Sequence, residues 1–305
     1  MHQTVLLREA VEALVTAPSG VYVDGTFGRG GHSRLVLGSL DAQGSLLGVD
    51  KDPLACEHAA QLQQEDGRFS FYHGSFADLP AQLKALGIDE LDGILLDLGV
   101  SSPQLDEADR GFSFTHDGPL DMRMDSSRGE TAAQWLAHAE VDAIAAVLKE
   151  YGEERFSRRI AAAIVAARED QPIVSTGRLA QVVSEANPRW EKHKHPATRA
   201  FQAIRIKVNR ELEDLRELLS ASLDMLRLGG RLVVISFHSL EDRMVKRFMR
   251  DMARGEDIPH GVPIRDSALN RRMKVVGKAV RPSAAEVADN PRARSAIMRV
   301  AEKIG

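Results

Sequence analysis

The chain has 305 residues, 43% apolar and 28% charged, which excludes wholesale disorder or a fibrous repeat and leaves room for one large domain or two modest ones. Cys56 is the single cysteine, so an internal disulfide or a cysteine-rich metal site is excluded and a reducing, cytoplasmic setting is expected; no apolar run approaches the roughly 18 residues of a membrane span, and Arg8, Glu9 and Glu12 argue against a secretory signal. The net charge of −4 hides a division: residues 1–242 carry 25 Lys and Arg against 37 Asp and Glu, whereas residues 243–305 carry 15 against 7.

The first half alternates short apolar runs with helical stretches. Val21–Asp24, Ser45–Asp50, Phe69–His73 and Leu91–Asp97 read as strands bounded by Gly, Asp or Pro. Helices are expected at 32–40 and from Asp52 as N-cap with Pro53 in the first helical position. Strand–helix repetition of this kind predicts an α/β fold, a mostly parallel sheet with helices on both faces. The stretch 101–129 then shows no apolar period. A loop of that length in a compact chain is usually functional or disordered, and its composition favours function.

Residues 131–207 read as almost purely helical, with Ile144, Val147, Leu148 and Tyr151 on one stripe and Phe156, Ile160, Ala163, Ile164 and Ala167 on another. A long helix is expected from about 197 to 226, stopped by Gly229-Gly230, and a strand at 231–237. The α/β pattern therefore resumes after an inserted all-helical domain, giving a division into 1–130 with 208–305 and an insert at 131–207. Two further strands are expected at 274–280 and 295–301, with a short helix opened by a capping box at Ser283 and Glu286. Residues 149–210 hold 13 Lys and Arg against 7 Asp and Glu. Two basic blocks in an acidic chain suit a polyanion such as nucleic acid, the alternative being solvated helix faces.

The strongest local signal is Val21-Tyr22-Val23-Asp24-Gly25-Thr26-Phe27-Gly28-Arg29-Gly30-Gly31-His32, a strand, a glycine-rich turn and a helix start. Glycines there allow left-handed backbone and close approach of a ligand. Asp50, ending the next strand, is placed to accept ribose hydroxyls. Ser33 falls where a dinucleotide fingerprint has its third glycine, and Asp24 sets a negative charge where a pyrophosphate would lie. These features favour a ligand with an ammonium group and no phosphate, S-adenosylmethionine; NAD and a ligand-free tight turn are the alternatives.

Asp97 ends a third strand on the same edge. An exocyclic amine on a base is a weak nucleophile, and a carboxylate accepting its N–H localises the lone pair and can take the surplus proton. Asp97 is the catalytic candidate, with Ser101, Ser102 and Pro103 shaping a slot and Phe112 or Phe114 offering a face to the base. Each acid taken alone could instead be a cap or turn former. Phe76, after the third strand, reads as a core aromatic or an adenine contact. His238 could touch the base or its phosphate, or be hydrogen-bonded for structure. Trp190 and Arg199, in a basic cluster with Arg189, Lys192 and Lys194, are candidates for RNA contact; a half-buried tryptophan anchoring two helices is the other reading. His193-Lys194-His195 lacks a third ligand, and no metal is expected.

Nine segments (2–7, 24–33, 96–105, 110–114, 118–125, 151–156, 195–205, 236–243 and 290–295) resemble the bacterial small-subunit (16S) ribosomal RNA cytosine-N4 methyltransferases. Among them are Leu96-Asp97-Leu98-Gly99-Val100-Ser101-Ser102-Pro103-Gln104-Leu105 and Ser236-Phe237-His238-Ser239-Leu240-Glu241-Asp242-Arg243. The resemblance covers essentially the whole chain, with no strong signature at 254–281. It implies a Rossmann-like class I methyltransferase sheet with an inserted helical domain, and methylation of cytosine N4 in the ribosomal decoding centre. Carried over residue by residue, it implies cofactor contacts at Gly30, Gly31, His32, Asp50, Phe76, Asp97 and Gln104, in addition to Asp24 and Gly28 from the turn itself. The implied partner is small-subunit ribosomal RNA, within the assembled particle; a homodimer is left open. The competing readings are a noncatalytic RNA-binding assembly factor that keeps a cofactor site, a nicotinamide-dependent oxidoreductase, and a methyltransferase acting on protein or a small amine.

Overall fold

The computed structural model describes residues 4–190, 195–255 and 269–305. Residues 1–99 with 212–305 form one compact unit, and 100–211 form another.

In the first unit, strands β1 (Val21–Asp24), β2 (Ser45–Asp50), β3 (Phe69–His73) and β4 (Leu91–Asp97) lie where the apolar runs predict. With β5 (Leu226–Ser236), β6 (Met273–Val275) and β7 (Ile297–Lys303) they make, among the described residues, one sheet in the order β3-β2-β1-β4-β5-β7-β6. The first five strands are parallel; β7 runs antiparallel between β5 and β6. The sheet is covered on both sides, which is why its strands read as continuous apolar runs. Tyr22, Leu46, Leu95, Val233 and Ile235 pack with helices α1 (Leu7–Leu14), α2 (Gly31–Ser39) and α3 (Pro53–Glu65). Their neighbours Val23, Leu47, Ile94, Leu96, Leu232 and Val234 pack on the other face with α4 (Leu79–Leu86) and residues of two later helices. Side chains alternate along a strand, so Asp24, Asp50 and Asp97 all belong to the face of the first set. Helix α3 starts as predicted, Asp52 accepting the Leu54 N–H at 3.1 Å ahead of Pro53.

The second unit holds α5 (Ser102–Asp106), α6 (Ala132–His138), α7 (Val141–Glu150), α8 (Ser157–Asp170), α9 (Thr176–Ala186) and α10 (Thr198–Asn209) around their own apolar core. The aperiodic stretch 101–129 lies in this unit and is built into it. Leu120 and Met122 are buried in the helical core. The Asn209 amide holds the loop from both sides, donating to Met122 O and accepting from Met124 N, each at 2.7 Å. Arg110 donates to the carbonyls of Arg123 and Met124.

Several boundaries differ from expectation. The predicted helix from 197 to 226 is two helices, α10 and α11 (Glu211–Met225), because Arg210 between them is left-handed at φ 54°. The chain turns there without Gly or Pro, so the apolar stripe gave no sign of the break. Gly229-Gly230 lies inside β5 rather than ending the helix; Gly229 is left-handed and the β4–β5 register shifts nearby, an irregularity that lets the strand begin at Leu226. The expected strand 274–280 stops at Val275, and Gly277 at φ 68° separates it from a lone bridge between Val280 and Met298. After α12 (Ser239–Arg254), helix α13 (Ala284–Asp289) is capped by Ser283 as predicted, but Glu286 turns its carboxylate to Leu6 N instead of back to the cap. Among the described residues no helix is long and apolar enough to cross a membrane.

Candidate functional site

Residues 24–33 join β1 to α2 at the carboxyl edge of the sheet. Gly28 and Gly30 adopt φ values of 57° and 77°, the left-handed region that glycine enters without strain. The turn is tied down on every side: Gly25 N donates to Leu95 O and Phe27 N to Val49 O, both at 2.9 Å. A Cβ on Gly30 would meet the Phe27 ring at 3.0 Å. That ring in turn stacks on Phe69, with centroids 5.2 Å apart.

Three carboxylates surround the turn. Asp24, buried, accepts from Ser33 Oγ at 2.7 Å and Thr26 N at 3.2 Å. Asp50 accepts from Gly28 N at 2.7 Å and Asp52 N at 2.8 Å. Burial pushes both acids up to about 6 against these hydrogen bonds, and each also feels a neighbouring carboxylate, Asp50 for Asp24 and Asp52 for Asp50. Asp97 is raised well above the usual carboxylate range, by burial first and then by the charges of Asp24 and Glu241. Its main-chain N–H is held by Thr26 Oγ1 at 2.6 Å, its Oδ2 lies 3.8 Å from His32 Nδ1, and its Oδ1 is buried with no hydrogen-bond partner. An unsatisfied acceptor in a cluster of acids is costly in itself and useful to a ligand that brings a proton donor or positive charge.

Phe76 opens a short turn after β3, and a Cβ on Gly25 would come within 3.2 Å of Phe76 Cβ, so this ring belongs to the same edge. Asp24, Gly28, Gly30, Gly31, His32, Asp50, Phe76 and Asp97 are therefore gathered at one place. Sequence reasoning missed the supporting groups there. Thr26 holds the Asp97 backbone, and Ser33 holds Asp24. Lys51 Nζ and Ser75 Oγ both reach Asp214 Oδ2 at 2.5 Å, bridging the segments after β2 and β3 to α11. Lys51 follows Asp50 directly and could have been noticed; Asp214 is far off in sequence and carries no local signal.

His238 caps α12, Nδ1 accepting the Glu241 N–H at 3.5 Å while Nε2 lies 3.0 Å from Glu241 Oε1. The ring is thus hydrogen-bonded at the head of α12, beside an acid whose charge reaches Asp97. Within the second unit, Ser102 and Pro103 form the first turn of α5. Ser101 and Gln104 make a reciprocal capping box there, Gln104 Oε1 accepting from Ser101 N at 2.9 Å. Phe112 is buried, with the Arg110 guanidinium 5.7 Å from its ring centroid. Phe114 lies 4.6 Å from the His195 ring and edge-on to Phe201. Trp190 is 66% exposed, so it is not the half-buried anchor that was the alternative. With Arg155, Phe156, Arg189, His195 and Arg199 it lines a cavity of about 230 Å³. Lys192, His193 and Lys194 of the same cluster lie outside the described residues.

Residues 1–304 match the model of the MraW methylase family. The chain is 59% identical over 306 residues to Ribosomal RNA small subunit methyltransferase H of Chromohalobacter salexigens, covering 100% of this chain and 92% of that protein. It is 55% identical over 304 residues to the protein of the same name from Marinomonas sp., covering 99% and 97%. Among solved structures, an rRNA methylase from Streptococcus thermophilus is a distant likeness, 11% identical with a TM-score of 0.42, covering 97% of this chain and 92% of that one. Matched over nearly its whole length, with three carboxylates around a glycine turn at a parallel-sheet edge, the chain belongs to the MraW methylase family.

Proposed function

We propose that the chain transfers the methyl group of S-adenosylmethionine to the exocyclic N4 amine of a cytosine in the decoding centre of small-subunit (16S) ribosomal RNA. The observation that carries the chemistry is Asp97: a carboxyl at a strand end, beside the glycine turn, with one oxygen buried and unpartnered. The relatives' printed names support the choice of small-subunit RNA, and the sequence resemblance supports cytosine N4.

The residues present fit the cofactor. Asp24, Asp50 and Asp97 crowd one edge, and burial resists their ionisation, so the edge is short of positive charge. S-adenosylmethionine supplies an activated methyl on a positively charged sulfur, together with an ammonium group. Gly28, Gly30, Gly31 and His32 would hold it with Asp24 and Gln104 toward its methionine end, Asp50 toward its ribose and Phe76 toward its adenine. Asp97 Oδ1 accepts an N–H of the cytosine amine, concentrates the nitrogen lone pair and takes the proton released on methylation. Ser102 and Pro103 shape the slot, with Phe112, Phe114 and His238 toward the base. Trp190 and Arg199 contribute RNA contact, an exposed indole among arginines being suited to stack on an unpaired base. The helical insert serves RNA recognition, and the assembled small subunit in the cytoplasm is the substrate.

Incubation with labelled S-adenosylmethionine and small subunits lacking base methylation, followed by RNA digestion and mass spectrometry, tests this. Label on cytosine N4 at one site supports it. Cofactor binding without label on subunits, naked RNA or assembly intermediates overturns it.

A further inference from the structure

The glycine turn is pressed from outside by a segment far from it in sequence. A Cβ on Gly31 would overlap Thr4 Oγ1 and lie 3.1 Å from Thr4 Cβ, its three nearest atoms all belonging to Thr4. Backbone φ does not explain the glycine, since only Gly28 and Gly30 in this turn are left-handed. Gly31 is therefore small because Thr4 sits on it.

Thr4 is not held there by its own element. Two residues on, Leu6 is buried yet left-handed at φ 51°, an unfavourable state for a branched side chain. Its N–H donates to Glu286 Oε1 at 2.8 Å, across 280 residues of sequence. Glu286 is fixed in α13, where Ser283 caps its N–H at 3.1 Å. Val5 and Leu6 share an apolar cluster with Ala293, Ala296 and Phe27, the ring beneath Gly30. The turn is thus packed by the Phe27 ring at Gly30 and by Thr4 at Gly31, and the segment that carries Thr4 is tied to a carboxylate far along the sequence.

We infer that the segment Thr4 to Leu6, pinned by Glu286, is the outer wall of the cofactor turn, and that Glu286 is a positioning residue for S-adenosylmethionine binding. The inference rests on the proposed cofactor. Loss of a hydrogen bond to a charged partner frees Leu6 from its strained conformation and lets Thr4 leave Gly31. Glu286 touches neither cofactor nor substrate, so it acts on cofactor affinity and leaves affinity for RNA as it was.

The test is titration calorimetry of S-adenosylmethionine into the full chain, with RNA binding and thermal unfolding measured alongside. Glu286→Ala is expected to raise the cofactor Kd about tenfold, whereas Glu286→Gln, which keeps a carbonyl acceptor for Leu6 N–H, stays within about twofold. Gly31→Ala is expected to lose binding by at least about tenfold, and the double variant Gly31→Ala with Thr4→Gly to recover most of it. If Glu286→Ala binds like the wild type, or if removing Thr4 does nothing for Gly31→Ala, the inference is wrong. Should Glu286→Ala not fold, the Gly31 and Thr4 pair decides alone. A wild-type chain that binds no S-adenosylmethionine overturns the cofactor reading and this inference together; a wild type that binds and variants that bind equally overturn only the inference.

Discussion

Ser33 and Asp24 are joined by a buried hydrogen bond, the hydroxyl donating to Oδ2 at 2.7 Å. It is among the influences that hold Asp24 down against burial. Ser33→Ala should push the Asp24 carboxyl higher and leave more of it neutral at pH 7. We expect the S-adenosylmethionine Kd to rise about fivefold at pH 7 and the gap to narrow by pH 8.5, where Asp24 ionises in both proteins. Calorimetry at the two pH values checks this; an equal loss at both would mean that Ser33 acts by packing alone.

Asp97→Ala should reduce methyl transfer by about 10²- to 10⁴-fold. The fold should survive, because burial already disfavours the charge of this group and its strand is anchored through the main-chain bond to Thr26. Single-turnover methylation and thermal unfolding measure the two halves. Near-normal turnover would remove Asp97 from its role.

Stability and cofactor affinity should depend on pH in opposite directions. Asp24 and Asp50 are raised to about 6 from 3.8, so the folded chain binds their protons more tightly than the unfolded chain does. Their stabilising effect is complete below about pH 4 and is lost as pH rises through about 6. Binding of a cation needs the charged forms and should strengthen across the same window. Unfolding temperatures of the wild type and Asp24→Asn, compared from pH 4.5 to 7.5, isolate one of the two acids. The difference between the proteins should grow in favour of the variant as pH rises; a constant difference would contradict the assignment.

Trp190→Ala should leave the unfolding temperature unchanged, since the indole is mostly exposed. If the indole stacks on a base, the KM for small subunits should rise about tenfold with kcat little changed. An unaltered KM would return Trp190 to the solvated surface.

Arg210→Gly should stabilise the chain by about 1 kcal/mol, because a non-glycine residue at φ 54° carries a steric cost that glycine avoids. Chemical denaturation reads this directly. A destabilised variant would mean that the arginine side chain outweighs its backbone.

Much of this was legible in the sequence because the parallel strands are buried on both faces. Continuous apolar runs bounded by Asp and Gly gave β1 to β4 their observed ends. The glycine turn and its carboxylates are local and were readable as a site. What escaped was long-range. No local signal announces that Asp214 joins Lys51 to Ser75, or that Glu286 serves Leu6 rather than its own helix cap. The break at Arg210 was hidden because the stripe of apolar residues runs on through a left-handed residue with no turn former to mark it. The stretch 101–129 lacks an apolar period because buried residues such as Phe112, Leu120 and Met122 sit in turns, the loop at Met122 and Met124 being held by Asn209 rather than by a regular element.

The sheet order also sets a sequence of events in time. Among the described residues strand β6 pairs only with β7, and β7 is made later although it lies between β6 and β5. During synthesis β6 must wait outside the sheet until residues 297–303 exist to bridge it to β5. The parallel strands and their carboxylate edge can assemble early, and Leu6 must wait for Glu286. A chain stalled between the two would carry every acid of the edge and still lack the tie that holds the segment packed on Gly31.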